Sequence, residues 1–248
     1  MILGTRSLTH AAKQRQRFVA GQIFTSIHTP PIQIEIDPAF LYIGNVEFEI
    51  KAIAHVDRHV FVDAQKQRVK RMIILQFEGF LDNNYKTYSN LPHHPINLGG
   101  ETFGHDNYFF SIAVDITTYP GAETDHTLRL LQDQGYRVED EQMTSRFARV
   151  VDTERRHELL IFYHENVSAT GLALATIAKD DIIIEPYNEI ALEPVWKIVF
   201  APKCGGGTLP KRYIPLLKPI NCHFPNRFLE LTKRSLQSFR VLSQDPAA

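Results

Sequence analysis

Residues 46–56 alternate between apolar and polar side chains with a period of two. Every even position in this run is apolar, and the odd positions, except Ile53, are polar or charged. This alternation is typical of an antiparallel strand with one buried and one exposed face. We therefore predict a buried face formed by Val46, Phe48, Ile50, Ala52 and Ala54, and an opposite face formed by Glu47, Glu49 and Lys51.

Two further pairs of apolar runs predict β-hairpins, because each pair is separated by a short and mostly polar connection. The first pair is 58–62 and 68–77, around the turn 63–67. The second pair is 146–151 and 158–164, around the turn 152–156. The run 68–77 is apolar on both faces near its middle, so we expect a second layer of structure to cover it.

Three segments carry helix signals. The first is capped by Ser7 and ends at Gly21, and the second runs from Thr124 to Gly135. The third, 226–243, places six large apolar side chains on one face and four cationic ones on the other. We expect this C-terminal helix to dock on the sheet, although a helix on a membrane surface shows the same pattern.

These elements predict an α+β fold in a single domain covering residues 1–248. Its antiparallel sheet is expected to be strongly curved or partly closed, like a meander or a barrel, and packed by N-terminal, middle and C-terminal helices. Residues 201–225 are predicted to be an irregular arm, because they are rich in Pro and Gly. Residues 181–200 fit either two buried strands or one helix interrupted by proline.

Composition narrows the class of protein. The 248 residues are 44% hydrophobic and have a net charge of −1, so no overall field favours nucleic acid or an acidic membrane. Residues 201–248 are basic, with 8 Lys and Arg against 2 Asp and Glu. Two cysteines do not form a secreted disulfide framework, and no apolar run is long enough for a signal peptide or a membrane span. We expect a soluble cytoplasmic protein.

The eleven histidines raise the question of a metal site. His55 and His59 are four residues apart, which suits metal binding on a helix but spans about 13 Å in a strand. Spaced metal motifs, phosphate-binding loops and nucleophile motifs are all missing from the sequence. We predict that the protein needs neither a metal nor another cofactor.

Polar residues at strand ends supply the site candidates. Gln76 and Glu78 end one predicted strand, and 163–165 end another, where alternation sends Tyr163 and Glu165 to one face and His164 to the other. The candidates for acid and base groups are Glu78, His105, His164 and Glu165. The candidates for ligand contacts are Gln76, Tyr108, Phe110 and Tyr163. The structural alternative is that these residues are ordinary polar strand ends and core aromatics.

The leading functional hypothesis is that the protein binds a small, largely apolar ligand in the cup of its sheet. The alternative is an enzyme that uses a Glu and His general acid–base pair in the same cavity. A second alternative is an interaction protein that acts through the basic C-terminal arm. We expect no nucleic-acid partner and no membrane span, and the sequence leaves the oligomeric state open.

Overall fold

The computed structural model describes residues 16–88, 94–167, 183–187, 195–199 and 225–243. In these residues the chain forms thirteen strands and three helices. The strands are β1 Arg17–Ala20, β2 Ile23–Ser26, β3 Ile32–Ile36, β4 Leu41–Ile50, β5 Ala54–Gln65, β6 Arg68–Phe80, β7 His94–Leu98, β8 Glu101–Ser111, β9 Glu141–Val150, β10 His157–Asn166, β11 Ile183–Tyr187, β12 Val195–Val199 and β13 Phe239–Ser243. The helices are α1 Ile112–Thr118, α2 Glu123–Asp133 and α3 Pro225–Ser238.

The strands form two antiparallel sheets, consistent with the predicted α+β class. The main sheet has nine strands in the order β11-β12-β8-β9-β10-β6-β5-β4, with β7 also paired to β8. The small sheet has the order β1-β2-β3-β13. Among the described strands the main sheet does not close into a barrel, and its strong curvature stays a prediction.

Both predicted hairpins are confirmed. β5 and β6 pair in one register from Ala54 opposite Phe80 to Asp63 opposite Arg71, and the register shifts before Ala64. The two-residue turn between the strands, Lys66 and Gln67, has positive φ at both positions. Positive φ at both turn residues is typical of the tight hairpin turns that match strand twist. The second hairpin joins β9 to β10. The ambiguous region 181–200 contains the strand pair β11 and β12 in its described part.

Residues 46–56, whose alternation predicts one strand, instead form the end of β4, a turn and the start of β5. β4 ends at Ile50, and Ala52 is exposed with φ of 53°, so its predicted place on the buried face is wrong. Phe48 is buried as predicted, and Ala54 lies on the same face but belongs to β5, where it pairs with Ile50. The turn residues Lys-Ala-Ile contain none of the usual turn formers, so the sequence gives no sign of it.

The predicted N-terminal helix is wrong over its described part, because residues 17–20 form β1. Gly21 has φ of 60° in the turn between β1 and β2, and a glycine of this kind serves a hairpin turn as well as a helix end. Residues 1–15, which hold the predicted cap Ser7, lie outside the described residues.

The middle helix is confirmed as α2, although Thr124 does not cap it. The N-cap is Ala122, and Thr124 instead donates a hydrogen bond to Asp115 of α1. β8 ends at Ser111, whose hydroxyl caps α1 by accepting from the Val114 N–H.

The C-terminal helix is confirmed as far as Ser238 and is wrong beyond it. Residues 239–243 form β13, where Phe239 and Val241 are buried and Arg240 between them is exposed. Apolar residues at i and i+2 fit a strand, but they also extend the apolar stripe of a helix wheel. The predicted irregular arm, 201–225, lies almost entirely outside the described residues.

The main sheet is covered on both faces by different layers. One face, here called the small-sheet face, packs Ile73, Leu75 and Phe77 of β6 against the small sheet and Leu231 of α3. The opposite face, here called the α2 face, packs apolar residues of β5, β6 and β10 against Leu131 of α2. This burial on both sides explains why β6 is apolar on both faces near its middle.

Candidate functional site

Polar residues interrupt the apolar pattern of the α2 face at one end of β5, β6 and β10. Arg58 lies opposite Gln76, and Glu78 lies opposite Glu158, so these four side chains project from neighbouring positions of one face. Glu123, the first residue of α2, reaches the same place from the helical layer. Together with Tyr88 these residues are here called the Glu78 cluster: Arg58, Gln76, Glu78, Tyr88, Glu123 and Glu158.

A buried amide, that of Gln76, holds two of the three carboxyl groups of this cluster together. Gln76 is fully buried, and its Nε2 donates to Glu123 Oε1 at 2.5 Å and also to Glu78 Oε1. The Tyr88 hydroxyl donates to the other oxygen of Glu78, Oε2, at 3.2 Å. Since both acceptors of Gln76 Nε2 are carboxyl oxygens, its Oε1 points away from them, and this atom is buried without a hydrogen-bond partner among the described residues.

The environment of Glu78 favours its neutral form. Burial raises the pKa of Glu78, and the nearby carboxylates of Glu123 and Glu158 raise it further, while the hydrogen bond from Gln76 opposes them. The result is a pKa well above the usual range, so Glu78 keeps its proton to a higher pH than a surface carboxyl does. Burial and Glu78 likewise raise the pKa of Tyr88, so its hydroxyl remains a hydrogen-bond donor.

Arg58 is the cation of the Glu78 cluster. Its side chain is buried, and its guanidinium carbon lies 5.4 Å from the ring centroid of Phe162, within cation–π distance. Its Nε and Nη1 atoms are buried without a hydrogen-bond partner in the described part of the chain. Burial lowers the pKa of Arg58, and the charge of Glu123 is the main opposing influence. Buried N–H groups without partners are rare and costly, so these two atoms mark the site.

Three other candidates lie further along the same face. His164 is opposite Thr144 in the sheet, and Tyr108 follows in the same row. The Thr144 hydroxyl and His164 Nδ1 are 2.9 Å apart, and the Phe110 ring lies 5.6 Å from the His164 ring. The structure therefore brings Tyr108, Phe110 and His164 together, with Phe162 stacked between this group and Arg58.

The remaining candidates lie on the small-sheet face. The Tyr163 hydroxyl donates to Glu165 at 2.5 Å, and Arg234 of α3 binds both Glu165 oxygens at 2.6 and 2.7 Å. His105 Nε2 is 2.9 Å from the Ser145 hydroxyl, and burial lowers the pKa of His105. The structure does not bring Glu78 and Glu165 together. In the antiparallel pair Glu78 faces Glu158 at one end, whereas Glu165 faces Arg71 at the other.

A second polar group on the small-sheet face, around Asp57, is mostly paired, although Arg17 Nε is buried without a hydrogen-bond partner among the described residues. Asp57 accepts hydrogen bonds from Arg17 at 2.9 Å, from Asn45 at 3.1 Å and from His59 at 3.2 Å. The Tyr42 hydroxyl is 2.9 Å from the other ring nitrogen of His59. Burial would raise the pKa of Asp57, but the hydrogen bond and charge of His59, with Asn45 and Arg17, lower it from 3.8 to about 2.

Sequence reasoning missed four residues of the Glu78 cluster as site residues: Arg58, Tyr88, Glu123 and Glu158. A signal was present for Arg58, which occupies an even position in β5 between the apolar Val56 and Val60. A charged residue inside an apolar period is buried with it, and buried charges are rare. No comparable signal marks Glu123, because an acidic residue in the first turn of a helix is common for electrostatic reasons alone.

No family model, curated protein or solved structure matches the chain, so the chemistry of the Glu78 cluster carries the functional argument. Within the described ranges, no helix is long and apolar enough to cross a membrane. Among the same residues, no three His, Cys, Asp or Glu side chains are arranged to hold a metal ion. Independence from metals and cofactors stays a prediction.

Proposed function

We propose that the protein binds a small, largely apolar ligand on the α2 face, at the Glu78 cluster. The observation that carries the proposal is the buried guanidinium of Arg58, whose Nε and Nη1 have no hydrogen-bond partner in the described residues. Each N–H group that is buried without a partner costs about 1–3 kcal/mol of stability or more, and a ligand atom that accepts its hydrogen bond would recover this free energy.

The surroundings of Arg58 support a ligand with an apolar body. Phe162 lies under the guanidinium, and Tyr108 and Phe110 extend the aromatic surface along the same face. Small-molecule sites typically combine such apolar walls with a few fixed polar groups. The Glu78 cluster supplies those groups mostly on strands, since Arg58, Gln76, Glu78 and Glu158 lie on β5, β6 and β10, and this favours a fixed ligand orientation.

The alternative function, general acid–base catalysis, has one specific observation in its favour. Glu78 and Glu123 are hydrogen-bonded to the same amide, and Glu78 has a raised pKa. Two carboxyl groups with separated pKa values are the usual basis for assigning an acid and a base. The predicted Glu and His pair has no such support, because His164 lies within hydrogen-bonding distance of Thr144 and not of Glu78.

The second alternative relies on the basic C-terminal arm. In the described part of that region, Arg234 is engaged by Glu165, and Lys233 pairs with Glu230 on α3 itself. These pairs reduce the cationic surface that a partner would meet.

Native mass spectrometry of the freshly purified protein tests the proposed function. We expect the wild-type protein to carry an additional small molecule that is released on unfolding, and Arg58→Met to lack it. Arg149→Met is the matched control, because Arg149 is also a strand arginine but lies on the small-sheet face and pairs with Glu101. An additional mass that persists in Arg58→Met, or its absence from the wild-type protein, would contradict the proposal.

A further inference from the structure

We infer that the ligand of the Glu78 cluster is an uncharged molecule in which a carbonyl oxygen stands next to an N–H group, as in a lactam or a cyclic imide. This inference rests on the proposed function and specifies its ligand class. The carbonyl oxygen would accept from Arg58, and the N–H would donate to Gln76 Oε1.

The two unmet groups have complementary chemistry and neighbouring positions. Arg58 offers N–H donors at Nε and Nη1, and Gln76 offers an acceptor at Oε1. The two residues are directly opposite each other on β5 and β6, on the same face. Opposite residues on one face have Cβ atoms about 4.5–5.5 Å apart, so one small group can contact both.

The charges of the cluster favour a neutral ligand over an anion. Glu123 and Glu158 contribute negative charges close to Glu78, and Arg58 is the cation that faces them. A ligand carboxylate would bring another negative charge into this buried region, where the interaction between like charges is strong. A carbonyl group satisfies the guanidinium N–H groups without adding charge.

The orientation of Gln76 also argues for a donor on the ligand. Its Nε2 donates to Glu123 and Glu78, which leaves Oε1 as the atom of this amide that can accept from a ligand. A ligand with only acceptors would leave Oε1 unpaired. The aromatic ring of Phe162 beside Arg58 favours a planar body that stacks on the same surface.

Binding of 2-pyridone, a planar lactam, tests this inference by calorimetry or by ligand-observed NMR on the full chain. N-methyl-2-pyridone lacks the N–H donor, and benzoate replaces the lactam with an anion of similar size. We expect 2-pyridone to bind at least tenfold more tightly than either analogue. We also expect Arg58→Met and Gln76→Leu each to weaken 2-pyridone at least tenfold, while Arg149→Met leaves it unchanged.

The outcomes separate this inference from the proposed function. Tighter binding of benzoate than of 2-pyridone, abolished by Arg58→Met, would overturn the lactam class and retain the site. Equal binding of 2-pyridone and its N-methyl analogue would remove the role given to Gln76. If neither 2-pyridone nor benzoate binds, but the purified wild-type protein carries a molecule that is lost in Arg58→Met, the ligand class is wrong and the site stands. If that molecule is absent as well, both proposals fail.

Discussion

The two faces of the main sheet both bury charged residues, but the surroundings of these residues shift their pKa values in opposite directions. On the small-sheet face, Asp57 is surrounded by donors that lower its pKa to about 2. On the α2 face, burial and then the carboxylates of Glu123 and Glu158 raise the pKa of Glu78, while Arg58 has two buried nitrogens without partners among the described residues.

Arg17 Nε in the Asp57 network is also buried without a hydrogen-bond partner in the described residues, but the Arg17 guanidinium is paired with Asp57, whereas among the same residues no hydrogen-bonded carboxylate partner offsets the two unpaired nitrogens of Arg58. A largely paired network stabilises a fold, and a partly paired one reduces stability unless something else completes it. This difference is the basis for our proposal that the α2 face binds a ligand, while the Asp57 network stabilises the small-sheet face.

Truncation before Asn226 should have the largest effect. It removes Leu231, Phe239 and Val241 from the core of the small-sheet face, together with the partner of Glu165. Each large side chain contributes about 1.5–3 kcal/mol when fully buried, so the three together account for a large part of a typical domain's net stability. We expect an insoluble or molten product, measured by circular dichroism and gel filtration. A soluble product that melts cooperatively would show that the small-sheet face does not depend on α3 and β13.

Asp57→Ala should destabilise the protein by about 3–5 kcal/mol, since removing one partner leaves a buried charge uncompensated. The charge left behind is that of Arg17, whose side chain is only 11% exposed. Urea denaturation measures the change in the free energy of unfolding. Asp63→Ala is a suitable control, because the Asp63 pair with Arg71 is more exposed and should cost less. Equal losses in the two variants would argue against a special role for the Asp57 network.

Arg58→Met should cost less stability than Asp57→Ala. Removing Arg58 leaves the carboxylate of Glu123 without this cation, but it also removes two buried N–H groups that lack partners among the described residues and cost about 1–3 kcal/mol each. We expect the ligand-free variant to unfold at a higher urea concentration than Asp57→Ala, although ligand binding is lost. A loss of stability similar to that of Asp57→Ala would mean that Arg58 is a structural residue, and the contrast between the two faces would disappear.

The pH dependence of stability should separate the faces most finely. The lowered pKa of Asp57 contributes stability above about 3.8, and this contribution, about 2 kcal/mol, is lost as the pH falls toward 2. The raised pKa of Glu78 affects stability at higher pH, because the folded protein holds a proton there that the unfolded chain releases. Stability is therefore lost as the pH rises through the pKa of Glu78. Urea midpoints measured across pH should show less loss at high pH in Glu78→Gln, and an unchanged profile would contradict a raised pKa.

Local pattern predicted much of the fold, and it failed where one pattern serves two structures. The hairpins of β5 with β6 and of β9 with β10 follow from alternation interrupted by polar connections. Gly21 marks a turn, and the same glycine would end a helix. The apolar stripe of α3 continues into β13, where only pairing with β3 decides that the backbone is extended. That pairing depends on residues far apart in the sequence, so no local reading contains it.

The site was predictable in part for the same reason. Alternation placed Gln76 and Glu78 on one face of β6 and separated Tyr163 and Glu165 from His164, as the structure has them. The partners that give Glu78 its chemistry come from β5, β10 and α2, and their approach depends on strand order and on the packing of a helix. An unexpected arginine within an apolar strand is the kind of signal that single-sequence reasoning can use.

The pairing of β13 with β3 has a consequence for how the chain folds. Ile36 and Phe239 are neighbours in the small sheet although about 200 residues separate them in the sequence. Contacts between residues so far apart in the sequence form slowly during folding. During synthesis, the hairpin strands β1 to β3 emerge early and must keep the edge of β3 unpaired until β13 appears. An unpaired strand edge beside apolar residues such as Ile32 and Ile34 is a template for association between chains. The nascent chain is therefore most exposed to aggregation at its N-terminal strands, and we expect a chaperone that shields apolar strands to improve the yield of folded protein.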